Sequence, residues 1–559
     1  MTQRWLGTAL AVVATAAFTI LVASQLNRPL MYDDANFALA AKAVAETGLP
    51  FGNQGWMSER GDFSQREQWA LWHPPLYVYL LGLFAKLGGW TPAILRLPGL
   101  LGGIATAVLT YVLARDLTRG RPRVGAGVAV SLSMLCPLTI QSALILDIDF
   151  SMLLPLSLLF LWLYLRLHHS RSRWLVLGPL FGLLLWTKMT NPLPLLAVVV
   201  AWQILRGRPR AAALHLVGIG GLGALLFGVT FVGIGTLLGF PLDMPFGVNA
   251  VQWQDSADVA RRAYTSPGAF VEGLQPTVLW LGPGLTSLGL AGIAIRCGQL
   301  AQQWEFKKAD VLTGVLVLFV LGYVYKSAGW FPKYQVALVP LLACLGAPLV
   351  ALAWCQRRGL TAAVAAIGAI SGAIVEARLV RDDGLLQRTW AMSAEAAPWL
   401  FGIVALVALV AAPWRFSGPA AAAGLAGLAI GWMTATNLMQ AAAPYSTTYW
   451  YGTTGTAEAA AWLDAHLSPL DTYVGAKEVA VRSRNQRYVD QDNLVYAFGA
   501  GRMFDGTWQT EPVRAVLAWQ REPYVADLLG RGVTAANYVE SARFGDYVVY
   551  EPGQIGGSP

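Results

Sequence analysis

Long apolar runs alternate with short polar stretches along most of this chain. A helix needs about 20 apolar residues to cross the hydrocarbon core of a bilayer, and most of the runs approach that length. The pattern therefore predicts about thirteen membrane-spanning helices. The predicted spans cover residues 5–23, 93–113, 124–140, 150–167, 174–186, 192–205, 211–238, 277–295, 311–325, 334–354, 361–380, 398–411 and 420–438.

The basic residues between these runs predict the orientation of the helices. If the N-terminus is cytoplasmic, almost every arginine-rich loop falls on the cytoplasmic side, as is typical of membrane proteins. One apolar run, residues 76–87, is too short to cross a bilayer and follows Pro74 and Pro75. Counting it as a span would place the arginines of residues 115–123 outside. We therefore expect an interfacial or re-entrant helix there.

This orientation places the turn at Asp147–Asp149, Lys188, the loop of residues 240–276, the turn of residues 327–333 and two further stretches on the outer side. The first is the loop of residues 27–92, within a membrane domain of residues 1–442. The second is residues 443–559, where turn and strand signals predict a small α/β extracytoplasmic domain. In it we expect helices from Thr456 and over residues 522–530, and strands over residues 471–481 and 547–550. No dinucleotide fingerprint or P-loop occurs there.

Composition supports a polytopic membrane protein. Of the 559 residues 55% are hydrophobic and only 13% are charged, whereas soluble proteins have roughly 25% charged residues. The net charge of +8 comes from the basic loops, so we expect no nucleic-acid partner. The four cysteines lack the spacing of a disulfide framework or a zinc site. We expect the plasma (inner) membrane as the location.

Two adjacent carboxylates, Asp33 and Asp34, lie where the first span reaches the outer surface. Ionisable groups there are costly unless they face water or a partner, so we interpret the pair as catalytic. A carboxylate can take a proton from an acceptor nucleophile, and a second carboxylate nearby strengthens such a base. Neighbours on a helix diverge by about 100°, so one residue, for which we favour Asp33, would face the reaction. The alternative is that both cap the helix starting at Ala35.

Other candidate substrate-binding residues also lie at the outer ends of predicted spans. Lys188 and Lys333 would neutralise a lipid-borne phosphate, the alternative being lysines that reach outer headgroups. Lys333 lies in Pro332-Lys333-Tyr334, which opens a helix whose free N–H groups also attract anions, and Tyr334 is a further substrate-binding candidate. Asp147 and Asp149 would bind a metal, a substrate hydroxyl or a basic partner, unless they cap the next helix.

His73 and Tyr77 complete the set of candidates. Tyr77 belongs to a group of aromatic residues in the outer loop, and aromatic rings either stack on sugars or form interfacial belts. The sequence does not decide whether His73 has a catalytic role or a structural, hydrogen-bonding role.

These residues together resemble a known family. The acidic pair after the first span, the sequence His73-Pro74-Pro75-Leu76-Tyr77 and the sequence Arg96-Leu97-Pro98 are similar to lipid-dependent membrane glycosyltransferases of the GT-C fold. Within that fold, the chain resembles the protein O-mannosyltransferases and the bacterial aminoarabinose and rhizobial core-sugar transferases. The resemblance covers roughly residues 5–354. Aminoarabinose transferases tend to have lysine where this chain has His73, so the donor sugar and the acceptor stay open.

The resemblance implies an enzyme that moves a hexosyl or pentosyl group from a polyprenyl-phosphate donor to a glycolipid, polysaccharide or protein acceptor outside the cytoplasm. It places Asp33 or Asp34 as the base, with Lys188 and Lys333 near the donor phosphate. The phosphate leaves as a weak base that needs only cationic stabilisation, so no cofactor is required, although a divalent metal stays an option.

Two other functions compete with this interpretation. A transporter or lipid-sugar flippase predicts inverted repeats and ionisable groups at the membrane midplane, whereas here the charges concentrate at the ends of spans. A non-catalytic scaffold would leave the acidic pair and the lysines without a common purpose.

Overall fold

In the computed structural model, residues 2–30, 32–50, 73–118, 121–167, 173–238, 281, 283–303, 305–326, 332–356, 359, 362–363, 365–367, 369–370, 430–431, 454–484, 487–490, 513–520 and 537–553 are described. The chain divides into two compact units, Met1–Gln25 with Gly99–Leu144 and Ile148–Ser446, and Leu26–Pro98 with Ile145–Asp147 and Thr447–Pro559.

The first unit is helical. It contains α1 (Thr2–Ala23), most of α4 (Pro92–Leu117), α5 (Pro122–Met134), α6 (Pro137–Leu144), α7 (Leu154–Leu167), α8 (Arg173–Thr187), α9 (Leu193–Leu205), α10 (Pro209–His215), α11 (Leu222–Phe227), α12 (Gly235–Leu237), α13 (Pro283–Gln303), α14 (Lys308–Lys326) and α15 (Leu338–Gln356). The first residues of α4 belong to the second unit. π-helical turns at Asp149–Leu153, Leu216–Gly221 and Gly228–Ile234 and a 3₁₀ turn at Pro332–Gln335 connect or precede some of them.

Glycines allow α1 and α5 to pack closely. A Cβ atom at Gly7 would overlap the backbone of Arg123, and one at Gly127 would overlap the backbone of Gly7. Close approach of two backbones at small residues is the usual way in which membrane helices associate, because lipid tails provide no hydrophobic driving force between helices.

Four helical segments of the described chain are long and apolar enough to cross a membrane, and a bent pair makes up to five. They are Trp5–Ala23, Pro92–Leu117, Asp149–Leu167 and Pro209–Leu237, with the bent pair Pro122–Met134 and Pro137–Leu144. Several predicted spans are shorter apolar helices, among them Arg173–Thr187, Leu193–Leu205 and Leu338–Trp354. The helical membrane architecture is confirmed, while the total of thirteen stays a prediction because many residues after 356 lie outside the described ranges.

One predicted span is not a single helix. Residues 124–140 were expected to be continuous, but α5 and α6 meet at an angle of 58°. Pro137 begins α6, and proline has no N–H group with which to continue the hydrogen bonds of α5. Similarly, the helix after Asp149 opens with a π-helical turn just before Pro155.

The second unit contains α2 (Tyr32–Thr47) and α3 (Leu76–Gly88), which pack against each other. α3 has 13 residues, matching the short apolar helix expected over residues 76–87. The rest of the described unit follows residue 453 and consists of α16 (Thr456–His466), α17 (Lys477–Arg482), β1 (Thr472–Gly475), β2 (Arg487–Asp490), β3 (Val513–Trp519), β4 (Tyr538–Phe544) and β5 (Tyr547–Pro552).

The five strands form one mixed sheet in the order β2-β1-β3-β5-β4. β1 runs parallel to β2 and β3, and β5 runs antiparallel to β3 and β4. Val474 pairs with both Val489 and Val516, so a valine row crosses the parallel part of the sheet. Gly545, with φ +54°, forms the tight turn between β4 and β5.

The elements expected in the C-terminal residues are partly confirmed. The helix from Thr456 is α16, and Gly455, with φ +87°, precedes it as the N-cap. The strand at residues 547–550 is part of β5, but the strand expected over residues 471–481 was wrong beyond Gly475, where α17 follows. In a short apolar run, periodicity does not distinguish a helix from a strand. Residues 477–482 form a helix, α17, which packs against α2. The helix expected at residues 522–530 lies outside the described residues.

Candidate active site

Asp34 is held by two other segments of the second unit. Its Oδ2 accepts a hydrogen bond from Arg96 Nη2 at 3.0 Å, and its Oδ1 accepts one from the backbone N–H of Leu146 at 2.7 Å. Both charged side chains are completely buried. Asp34 is therefore fixed to the start of α4 and to the residues that lead to Asp147.

Arg96 anchors the approach to α2 as well. Its guanidinium donates to the carbonyl oxygens of Leu26 at 2.9 Å, of Pro29 at 2.9 Å and of Arg28. A buried guanidinium has five N–H donors and is stabilised only when oxygens surround it. The three carbonyls and the Asp34 carboxylate supply those oxygens, so the turn between α1 and α2 has a defined shape.

Asp33 lies in the first turn of α2, one residue before Asp34. Its side chain is outside the described part of the structure. The contacts of Asp34 therefore also position the backbone of Asp33.

His73 and Tyr77 lie at the start of α3. His73 is half-buried, and Tyr77 is fully buried. The Tyr77 ring packs edge-to-face against Phe37 of α2, with 5.3 Å between the ring centroids. Tyr77 therefore holds α2 against α3, while His73 is nearer to solvent.

A second cluster, which we call the lysine cluster, joins Asp149, Lys188 and Tyr334 in the first unit. The Lys188 ammonium donates to both Asp149 oxygens, at 2.9 and 2.8 Å. It also lies 4.6 Å from the centroid of the Tyr334 ring, a cation–π contact. The Lys188 and Asp149 side chains are only 3% and 5% exposed, so solvent screens this ion pair little.

The three residues of the lysine cluster come from helix ends that face the same way. Asp149 precedes α7, Lys188 follows α8, and Tyr334 precedes α15. α7 and α8 are consecutive helices joined by a short connection, so the start of one and the end of the other meet. Lys333 lies in the same 3₁₀ turn as Tyr334, although its side chain is outside the described residues.

Asp147 is also buried, with 5% of its surface exposed, and follows Leu146, which contacts Asp34. No group of three or more His, Cys, Asp or Glu side chains suited to a metal ion occurs in the described ranges.

The sequence alone did not indicate a role for Arg96. The available signal was an arginine near the start of an apolar helix, where an unpaired charge is costly.

Part of the sequence matches a known protein family. Residues 72–233 match the family model described as dolichyl-phosphate-mannose-protein mannosyltransferase. No match was found among curated proteins.

Two solved structures are similar over nearly the whole chain. ArnT from Cupriavidus metallidurans bound to undecaprenyl phosphate superposes with a TM-score of 0.61 and 18% identity, covering 100% of both chains. ArnT from the same organism in the apo state gives a TM-score of 0.54 and 17% identity, covering 97% of this chain and 98% of the other. At this identity the likeness establishes the fold alone, and that fold agrees with the one expected from the resemblance to GT-C membrane glycosyltransferases. Residues 72–233 are thus similar to the family described as dolichyl-phosphate-mannose-protein mannosyltransferase, within a chain that has the fold of the ArnT structures.

Proposed function

We propose that this protein is an integral-membrane glycosyltransferase that moves a sugar from a polyprenyl-phosphate donor to an extracytoplasmic acceptor. The observation that carries the proposal is the buried contact of Asp34 with Arg96, which fixes the acidic pair within a chain that matches a glycosyltransferase family. The similar ArnT structure contains undecaprenyl phosphate, which supports a lipid-linked donor. The N-terminus is cytoplasmic, and the residues after 442 are outside.

Asp33 is the general base in this proposal, and Asp34 is a positioning residue. Asp34 has one oxygen bonded to Arg96 and the other to Leu146, so its carboxylate serves to hold the helix. Such rigid support is what a catalytic group requires, because small displacements reduce the rate strongly. Fixing Asp34 fixes the backbone of Asp33.

The reaction is a displacement at the anomeric carbon of the donor sugar. The acceptor nucleophile gives its proton to the Asp33 carboxylate and forms a bond to that carbon. The bond between the anomeric carbon and the phosphate oxygen breaks, and polyprenyl phosphate leaves with both electrons of the bond. Attack from the opposite face gives inversion. The remaining demand on the protein is to stabilise the phosphate negative charge.

The lysine cluster is the proposed phosphate site. Asp149 and Tyr334 hold the Lys188 ammonium at the end of α8, and the adjoining 3₁₀ turn brings Lys333 to the same group of helix ends. Lysines at the ends of neighbouring helices suit a phosphate carried on a lipid. Asp147 and His73 are proposed to contact sugar hydroxyls. A divalent metal is not needed for this chemistry but is compatible with it.

The test is sugar transfer in membranes from cells that express the protein, using labelled polyprenyl-phosphate sugars. We expect Asp33→Asn to reduce transfer by about 10²–10⁴-fold, the usual contribution of a general base, without lowering the unfolding temperature. Asp116→Asn is a matched control, because Asp116 pairs with the half-exposed Arg166 outside the proposed site. That variant should retain transfer.

Other outcomes would change the proposal. Full transfer by Asp33→Asn would refute its role as base. Movement of lipid-linked sugar across the membrane without transfer to any acceptor would instead support a flippase, the competing function.

A further inference from the structure

A cavity of about 640 Å³ opens within the second unit, and neither Arg96 nor Asp34 is among its lining residues. Its walls come from the C-terminal half of α2, the residues before α4, α16, and the end of α17. Ligand sites in proteins usually enclose roughly 300–1,000 Å³, so the space suits a small ligand or one or two sugar rings.

Small side chains on α16 create the space. Ala457, Ala460 and Ala461 all line the cavity. Residues spaced by three or four positions lie on one face of a helix, so these alanines form a flat floor. A long side chain on that face would fill the cavity.

The walls carry three cationic side chains, Lys42, Arg482 and Arg484. Lys42 donates to the carbonyl oxygen of Ser483 at 3.0 Å, which ties α2 to the end of α17. Both arginines are exposed. These three cations outnumber the two acidic residues of the lining, so the concave surface keeps a net positive charge that attracts anions.

The lining also contains two acidic residues, Glu46 and Asp464, and the contacts of Asp464 are with the residues that follow α17. Asp464 accepts hydrogen bonds from Ser483 Oγ at 2.8 Å and from the Arg484 backbone N–H at 2.7 Å, and it also pairs with Arg484 Nε at 3.3 Å. Its carboxylate therefore shapes the turn after α17. Burial lowers the pKa of Lys42 from 10.5, and Glu46 and Asp464 oppose that shift, as a bound anion would.

Trp90 forms an aromatic wall of the same cavity, next to the exposed hydroxyl-bearing Thr91. Indole rings pack against the apolar C–H faces of sugars while their edges stay in water. An aromatic wall, hydroxyl and carboxylate groups and several cations together suit a sugar that carries a negative charge.

We propose that this cavity binds an anionic saccharide, the phosphate- or carboxylate-bearing glycan part of the acceptor. The assignment to the acceptor rests on the proposed transfer reaction, whereas binding of the saccharide does not. The cavity is then a recognition site whose arginines select acceptors by charge and whose Trp90 selects a sugar ring.

The experiment uses the purified full-length protein, labelled and applied to an array of immobilised phosphorylated, uronic-acid-containing and neutral oligosaccharides. We expect binding to charged members and at least tenfold weaker binding to neutral ones, since hydrogen bonds to charged groups are the stronger ones. Arg482→Gln and Ala461→Trp should each weaken binding about tenfold. Arg543→Gln is the matched control, because Arg543 is an exposed arginine of the same unit paired with Glu540.

Three results would overturn the proposal. They are absence of binding to every oligosaccharide, equal binding to neutral and charged members, and binding unchanged in both cavity variants with unaltered unfolding temperatures. Complete competition by phosphatidylglycerol bicelles would assign the cavity to a lipid headgroup instead. Asp33→Asn should bind the array normally, so loss of transfer and loss of acceptor binding are distinguishable.

Discussion

Arg96 and Asp34, 62 positions apart in the sequence, form a completely buried ion pair at 3.0 Å. Removing one partner of a buried pair leaves an uncompensated charge, which costs about 3–5 kcal/mol. The carbonyls of Leu26 and Pro29 would also lose their donor. The pair therefore connects the stability of the second unit with the position of the proposed base.

Arg96→Met should lower the free energy of unfolding by about 3–5 kcal/mol, because the Asp34 carboxylate stays buried without its cation. Arg166→Met should change it by only about 0–1 kcal/mol, since Arg166 pairs with Asp116 at the surface, where its side chain is 47% exposed. Thermal unfolding in detergent compares the two. Equal effects would contradict the structural importance of the buried pair.

Asp34→Asn should be destabilising as well as less active, in contrast to Asp33→Asn. The amide cannot neutralise Arg96, so we expect a loss of about 3–5 kcal/mol together with reduced transfer. The double variant Asp34→Leu/Arg96→Met should be less destabilised than the sum of the single variants, because no charge is left unpaired. Strict additivity in this double-mutant cycle would argue against direct coupling.

Lys188→Met should destabilise the first unit and weaken donor use. Asp149 would keep a buried charge without its partner, at a cost of about 3–5 kcal/mol. Lys188→Met/Asp149→Leu should recover stability but not the KM for the polyprenyl-phosphate donor, which separates folding from phosphate binding. Lys307→Met is the matched control, because Lys307 pairs with the 66% exposed Glu305. A normal donor KM in the double variant would remove Lys188 from the phosphate site.

Gly102→Ala should distort the turn that carries Asp149. A Cβ atom at Gly102 would overlap the carbonyl oxygen of Ser151, which lies within the π-helical turn Asp149–Leu153. We expect a loss of about 1–3 kcal/mol, typical of overpacking, and lower transfer. Gly228→Ala has no atom within 4 Å of the new Cβ and should be neutral or stabilising by up to about 1 kcal/mol. Thermal unfolding and transfer assays on both variants check this.

The sequence by itself determined the membrane class, the short helix before α4 and the position of the acidic pair after α1. Each of these follows from local properties, namely the length of an apolar run, its flanking charges or the identity of adjacent residues. The sequence also named Asp149, Lys188 and Tyr334 as candidates, because charged and aromatic groups at helix ends are visible without a fold.

Only the tertiary structure decided which charges pair. Asp34 could have been a free carboxylate or a helix cap, and its contact with Arg96 and Leu146 shows that it is an anchor. Lys188 could have reached lipid headgroups, but it is buried against Asp149. Such choices depend on contacts between distant segments, whose desolvation and Coulomb energies exceed any local preference of the chain. The bend at Pro137 and the helix at Lys477–Arg482 likewise depended on packing that local periodicity does not contain.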